Sequence, residues 1–113
     1  MADKLWQIEY YVDARGQSPV LEYVDTLSPS ERAKLAHALM LLNQLGIRLG
    51  MPHARPIGRL WELRAGPNRF FYYALVGRRF VVLHGYRKKT QAAPRQEIAV
   101  AERRLREMLE RDR

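Results

Sequence analysis

The hydrophobic and polar positions of this chain change their period along its length. Residues 6–12 (WQIEYYV) alternate apolar and more polar positions, which is the period of two expected of a half-buried strand. Residues 20–27 and 35–45 instead repeat apolar positions every three or four residues, the spacing of an amphipathic helix. The pattern therefore predicts one strand followed by two helices.

Local signals predict where these two helices begin and end. Ser18 precedes a proline, as an N-cap does, and this helix is expected to run to Leu27. Ser28 and Glu31 have the spacing of a capping box, and Gly46 is a typical helix stop. Because almost no linker separates the two helices, we expect them to form a hairpin.

The second half of the chain has the pattern of a sheet. Residues 46–59 hold three of the seven glycines and two of the six prolines, which predicts an irregular loop. Strand patterns follow at 60–64, 69–76 and 79–86, separated by short turns that contain glycine. They predict an antiparallel meander whose last strand, apolar on both sides, is central in the sheet.

A charged amphipathic helix, opened by Pro94, completes the predicted order β-α-α-β-β-β-α. This order is an α+β fold, with an N-terminal helical hairpin packed on a small antiparallel meander. The length and the lack of a linker predict a single domain over residues 1–113.

Composition narrows the classes of function. The chain has no cysteine, and its three histidines are not at ligand spacing, so we expect no metal site and no cofactor. No apolar run approaches ~20 residues, so we expect a cytoplasmic protein with no membrane partner. The net charge is +8, and all of the excess lies in residues 57–113. Such a lopsided positive charge favours a polyanionic partner such as nucleic acid.

Four cations in the second half are candidates for a phosphate site. Arg64 and Arg69 flank the first hairpin turn, and Lys88 and Lys89 follow the last strand. If these strands are neighbours, the four side chains converge on one cationic pocket. Arginine binds phosphate through a planar fork and lysine through a point charge. Each residue alone more often only solvates a surface, so the combination carries the hypothesis of a nucleic-acid-binding domain.

The segment GRLWELRAGPNRFFYYALVGRRFVVLHGYRKKTQAAP, followed by an amphipathic helix, resembles the RelE/ParE superfamily of type II toxins. The resemblance is closest to the phage-derived, HigB-like branch and covers nearly the whole chain. The residues that carry it are Leu60 to Arg64, Arg69-Phe70, Phe80 to His84, Tyr86, Lys88 to Thr90, and Pro94.

The resemblance implies a RelE-like fold and the toxin of a type II toxin–antitoxin system. It implies a ribosome-dependent mRNA endonuclease that inhibits translation without a metal. In that reaction the 2′-hydroxyl next to the scissile bond attacks the phosphate, leaving a cyclic phosphate and a free 5′-hydroxyl. The implied partners are the ribosome, mRNA and a cognate antitoxin, which in relatives is often a helix-turn-helix protein.

The resemblance also implies roles for individual residues. Arg64 and Arg69 are expected to clamp the phosphate in the transition state. Lys88 and Lys89 match the basic residues after the last strand, where one stabilises charge or donates a proton. Tyr86 is expected to stack on a base or to orient the attack.

The general base is the part of the pattern from which this sequence departs. Relatives use a C-terminal Tyr, or a His or Asp near their end, and this chain has no Tyr or His after Tyr86. His84 is the best remaining candidate for the base, followed by His53 or a lysine of lowered pKa. Further RNA contacts are expected from Arg59, Arg87, His53 and Tyr86.

Two other functions are compatible with the same fold. One is a ParE-like toxin that inhibits DNA gyrase and has no chemistry of its own, although members of that type generally lack the basic constellation. The other is an RNA-binding protein that is catalytically silent, which the missing C-terminal base allows. Expression in a bacterium distinguishes the three functions by the state of mRNA and DNA.

Overall fold

The computed structural model of the chain describes residues 5–92 and 94–112, in which helices cover both faces of one sheet. The predicted α+β class is confirmed, and so is the helical hairpin that precedes the meander. Arg113, the end of the predicted last helix, lies outside the described residues. The elements are β1 (Gln7–Tyr10), α1 (Pro19–Asp25), α2 (Pro29–Leu45), a short 3₁₀ helix (Gly46–Arg48), β2 (Ala54–Ile57), β3 (Leu60–Ala65), β4 (Asn68–Leu75), β5 (Arg79–Arg87) and α3 (Arg95–Arg111).

The sheet has five strands in the order β1-β5-β4-β3-β2. β1 runs parallel to β5, whereas the other neighbouring pairs are antiparallel. The predicted meander is β3, β4 and β5, and the central position expected for its last strand is confirmed because β5 lies between β1 and β4. The sheet is therefore mixed, with the first strand of the chain closing it beside the last.

The sequence prediction was wrong about residues 46–59. Within this segment, Gly46–Arg48 form the 3₁₀ helix and Ala54–Ile57 form β2, which pairs antiparallel with β3, and the residues between and after them are irregular. Pro56 in the middle of β2 makes the segment read as a loop, but a proline is tolerated on an edge strand, where its missing N–H is not needed. The predicted end of the first helix at Leu27 was also too late, because Thr26 caps the helix after Asp25.

Predicted capping signals are confirmed for both helices of the hairpin. The Ser18 hydroxyl accepts from the backbone N–H of Leu21, and Ser28 and Glu31 form a reciprocal capping box. Within the described residues, no helix is long and apolar enough to cross a membrane.

Alternate residues of the sheet pack into two separate cores. Tyr72 and Phe80 belong to the core shared with α1 and α2, whereas Phe71 and Leu83 belong to the core shared with α3. This division follows from the alternation of side chains along a strand. A register shift between Phe71 and Tyr72 marks a β-bulge, which places both Leu83 and His84 on the α3 side of the sheet.

The end of α2 at Gly46 depends on the absence of a side chain at this position. Gly46 has φ +59°, and a Cβ there would lie 2.0 Å from the indole nitrogen of Trp6. We expect Gly46→Ala to lower the free energy of unfolding by about 2 kcal/mol or more, through overpacking and backbone strain. Urea denaturation measures this loss.

Gly50→Ala is the matched control. Gly50 lies outside the left-handed region, and a Cβ at this position would have no other atom within 4 Å, so its substitution should cost less than about 0.5 kcal/mol. Equal losses in the two variants would show that the Trp6 contact is not what requires glycine at position 46.

Candidate active site

Two rows of side chains cross the α3 side of the sheet toward the β3–β4 turn. Residues directly opposite each other on paired antiparallel strands share a face, so each row is fixed by strand register. The first row contains Arg64 of β3, Arg69 of β4 and Tyr86 of β5. The second row contains Arg55, Glu62, Phe71 and His84, one from each of β2 to β5.

The structure brings together the four cations that the sequence singled out. Arg64, Arg69, Lys88 and Lys89 line one cavity of about 430 Å³. The backbone N–H of Lys88 donates to the Pro67 carbonyl at 2.9 Å, which holds the end of β5 against the β3–β4 turn. None of the described residues that line the cavity is acidic. The cavity therefore has the chemical character of an anion site.

The two arginines of the first row each carry a buried donor without a hydrogen-bond partner among the described residues. The Arg69 Nη1 donates to the carbonyls of Gly66 at 2.7 Å and Asn68 at 3.0 Å, but its Nε is unpaired. The Arg64 Nε is also unpaired and lies 3.6 Å from Glu62 Oε1. An unsatisfied buried donor costs about 1–3 kcal/mol, and like charges directly opposite across a ladder repel. An anion in the cavity would offset the repulsion between the two guanidinium groups.

Tyr86 adds a neutral donor to the row. Its hydroxyl is buried and has no hydrogen-bond partner in the part of the chain that the structure describes. Burial, and next the charge of Glu62, raises the pKa of Tyr86 to about 12. The phenol therefore keeps its proton at physiological pH and can donate it in a hydrogen bond. Its ring lies 5.9 Å from the ring of His84, nearly parallel to it.

One family model matches most of this chain. Residues 22–106, which include both rows, match the family model described as Phage derived protein Gp49-like. The chain belongs to this Gp49-like family. The match confirms the resemblance to the phage-derived, HigB-like branch of the RelE-type toxins.

Among solved structures, the toxin–antitoxin complex RelBE2 from Mycobacterium tuberculosis is similar to this Gp49-like chain. The two share 18% identity with a TM-score of 0.49, and the alignment covers 74% of this chain and 99% of that chain. No curated protein matches the chain.

His84, the predicted general base, is not among the residues that line the cavity of this Gp49-like protein. Its Nε2 lies 2.9 Å from Glu97 Oε1 and its Nδ1 lies 3.1 Å from Arg104 Nη1. Because arginine can only donate, Nδ1 is the acceptor and Nε2 carries the proton that Glu97 accepts. Burial lowers the pKa of His84, and the hydrogen bond to Glu97 opposes this effect. The ring is therefore neutral at pH 7.

The other predicted RNA contacts are dispersed over the molecule. Arg59 forms an ion pair with Glu102 of α3 at 2.8 Å. Arg87 forms an ion pair with Glu31, the capping-box residue of α2. His53 lines a second cleft, which lies beside the cationic cavity and shares Arg64 with it. The structure thus places Arg59 and Arg87 outside the cavity, each with an acidic partner.

Glu62 belongs to the site, although the sequence reasoning did not select it. Its side chain is fully buried, and its Oε1 accepts from Arg55 Nε at 3.0 Å. Its Oε2 has no hydrogen-bond partner among the described residues. Alternation in LWELR does place Glu62 on the face of Arg64, and that was the available signal. Its partner Arg55 was hidden because Arg55 lies in the segment predicted to be a loop.

No group of three or more His, Asp or Glu residues within 5–92 and 94–112 could hold a metal ion. The charged groups that line the cavity are the guanidinium groups of Arg64 and Arg69 and the ammonium groups of Lys88 and Lys89. These groups bind and neutralise oxyanions and can transfer protons.

Because Glu62 is buried next to two arginines, removal of its charge should lower the free energy of unfolding. Glu62→Gln keeps the shape but leaves Arg55 and Arg64 without their anion, so we expect a loss of about 1–3 kcal/mol in the free energy of unfolding. Added sulfate should restore more stability to this variant than to the wild type. Glu102→Gln, which breaks the exposed pair with Arg59, is the control and should cost less than about 1 kcal/mol. Equal responses to sulfate would refute the role of Glu62 as the internal counter-charge.

The environment of His84 predicts a dependence of stability on pH. In the unfolded chain this histidine takes up a proton near its ordinary pKa of about 6.5, whereas in the folded chain its pKa is lower. The unfolded state therefore binds more protons in this interval, and stability should fall as the pH falls through it. Denaturation of the wild type and His84→Gln at several pH values measures the difference. A slope that His84→Gln leaves unchanged would assign the pH dependence to other groups.

Proposed function

We propose that this protein, a RelE-type toxin, cleaves mRNA on the ribosome by attack of the RNA's own 2′-hydroxyl. The observation that carries the proposal is the opposition of Arg64 and Arg69 across β3 and β4, each with a buried Nε that has no hydrogen-bond partner among the described residues. Glu62 lies 3.6 Å from Arg64, but Arg69 has no acidic partner among the described residues, and two facing guanidiniums repel each other. A scissile phosphate supplies an anion between them.

The residues around the cavity support each requirement of the reaction. The 2′-oxygen forms a bond to phosphorus while the bond from phosphorus to the 5′-oxygen breaks, and negative charge grows on the non-bridging oxygens. Arg64 and Arg69 stabilise that charge. Lys88 or Lys89 neutralises the departing 5′-oxygen and donates a proton to it. Tyr86, which stays protonated, donates a hydrogen bond that orients the phosphate or the attacking sugar.

His84 is the proposed base for the 2′-hydroxyl. It is neutral at physiological pH, as a base must be, and it lies beside Tyr86. Both ring nitrogens are engaged, and only Nδ1 has a lone pair to accept a proton, so the reaction requires the substrate hydroxyl to replace Arg104 at Nδ1. His53, which lines the adjoining cleft together with Arg64, is the alternative base.

The proposed partners follow from the same charge distribution. A net charge of +8 and a cavity without an acidic residue among its described lining suit mRNA held on the ribosome. The cognate antitoxin, in this proposal a helix-turn-helix protein, would neutralise the toxin by covering the cavity with an acidic or amphipathic segment.

Inducible expression in a bacterium tests the reaction. Primer extension on an abundant translated mRNA should show cuts inside the reading frame for the wild type. Arg64→Ala and Arg69→Ala should each reduce cleavage by about 100-fold or more, the effect of removing one preorganised donor to a transition-state oxyanion. Arg106→Ala removes an exposed cation of α3 that does not line the cavity and should cleave like the wild type.

The other outcomes identify the alternatives. Growth arrest with intact mRNA and damaged DNA would refute the proposal in favour of a gyrase inhibitor. Absence of arrest, with folded protein and retained RNA binding, would mark a silent binding protein. Full toxicity of a folded Arg64→Ala variant would show that Arg64 is not part of the active site.

A further inference from the structure

A second cleft adjoins the cationic cavity, and the two share Arg64 as a lining residue. The cleft has a volume of about 470 Å³, within the range of small-molecule sites. β2 pairs with β3 as far as Leu63, and the His53 carbonyl then accepts from the Arg64 N–H at 2.8 Å. Beyond Arg64, this edge of β3 has no strand partner among the described residues, and Ala65 and Gly66 line the cleft there.

The lining of this cleft combines a small apolar floor with positive groups. The floor contains Ala38 and Ala65, which are buried, and Gly66. Lys34 of α2 lies over that glycine, since a Cβ at Gly66 would be 2.8 Å from Lys34 Cδ and 3.6 Å from its Nζ. The imidazoles of His37 and His53 also line the cleft. None of the described lining residues is acidic.

We propose that this cleft binds the nucleotide next to the scissile phosphate of a single-stranded RNA. The inference rests on the proposed function, because it needs a phosphate held by Arg64 in the first cavity. An RNA strand that passes Arg64 must continue along the surface, and the second cleft begins at that residue.

The chemistry of the cleft suits one nucleotide better than a lone anion. A floor of small residues accepts the flat face of a base, and a histidine ring can stack on it. Lys34 supplies the cleft with a cation for a flanking phosphate, while Arg64 holds the scissile phosphate in the first cavity. A free phosphate would use only the cations and leave the apolar floor without a partner.

An NMR titration tests this assignment with two probes, inorganic phosphate and ApA whose first 2′-hydroxyl is methylated so that it cannot be cut. Phosphate should shift the backbone amides around Arg64, Lys88 and Lys89 only. The dinucleotide should shift the same amides and also the ring signals of His37 and His53. Stacking of a base should make the dinucleotide bind about tenfold more tightly than phosphate.

Variants of the second cleft test whether its residues bind the dinucleotide. Lys34→Ala and His53→Ala should remove most of the tenfold advantage of the dinucleotide and leave phosphate binding unchanged. Arg106→Ala lowers the net charge equally but lies in neither lining, so it should keep the advantage. Unchanged thermal melting of each variant checks the fold.

Three results would contradict this inference, and each has a different consequence for the proposed function. Shifts at the first cavity without shifts of His37 and His53 would overturn the second cleft and leave the proposed function standing. Loss of the advantage in Arg106→Ala to the same extent would reduce the effect to net charge and would also overturn it. No shift at either cavity with either probe would contradict both this inference and the phosphate site of the proposed function.

Discussion

The direct opposition of Arg64 and Arg69 is the constraint on which the rest of the site depends. It exists only in one register of β3 against β4, which the buried pair of Leu63 and Phe70 fixes on the other face of the sheet. A slip by one residue would move apolar side chains out of the core, so the core resists it. The apolar packing of the helical hairpin thus holds two like charges together on the opposite face.

The protein limits the cost of this arrangement with one buried acid. Glu62 lies between Arg55 and Arg64 and offers each an anionic partner, at 3.0 Å and 3.6 Å. Arg69 has no such acid among the described residues and instead donates to carbonyls of the adjacent turn. The compensation is incomplete, since the Nε atoms of both site arginines and the Tyr86 hydroxyl form no hydrogen bond in the described part of the chain. Incomplete satisfaction of this kind is typical of binding sites, where the ligand completes the network.

α3 holds His84, the proposed base, as well as covering part of the core. Ala101 and Leu105 cover the apolar end of the sheet, and Glu97 and Arg104 of the same helix hold the two nitrogens of His84. The bulge after Phe71 turns His84 toward this helix, next to Tyr86. The protonation state of the candidate base is therefore set by helix packing, through burial more than through its charged neighbours.

The sequence by itself determined the helices, the N-caps of the first two and the meander, because periodicity and capping act between residues a few positions apart. It also determined the family, through the residues that match it. It also indicated Arg64, Arg69, Lys88 and Lys89, since a hairpin brings its flanking residues together. The parallel pairing of β1 with β5 and the edge strand β2 required tertiary structure, because pairing partners distant in sequence leave no local pattern. For the same reason, the sequence did not predict that Glu62 is buried beside Arg55 or that Arg87 forms an ion pair with Glu31. Charge and alternation identify which residues are polar, but only the packed chain decides which of them face one another.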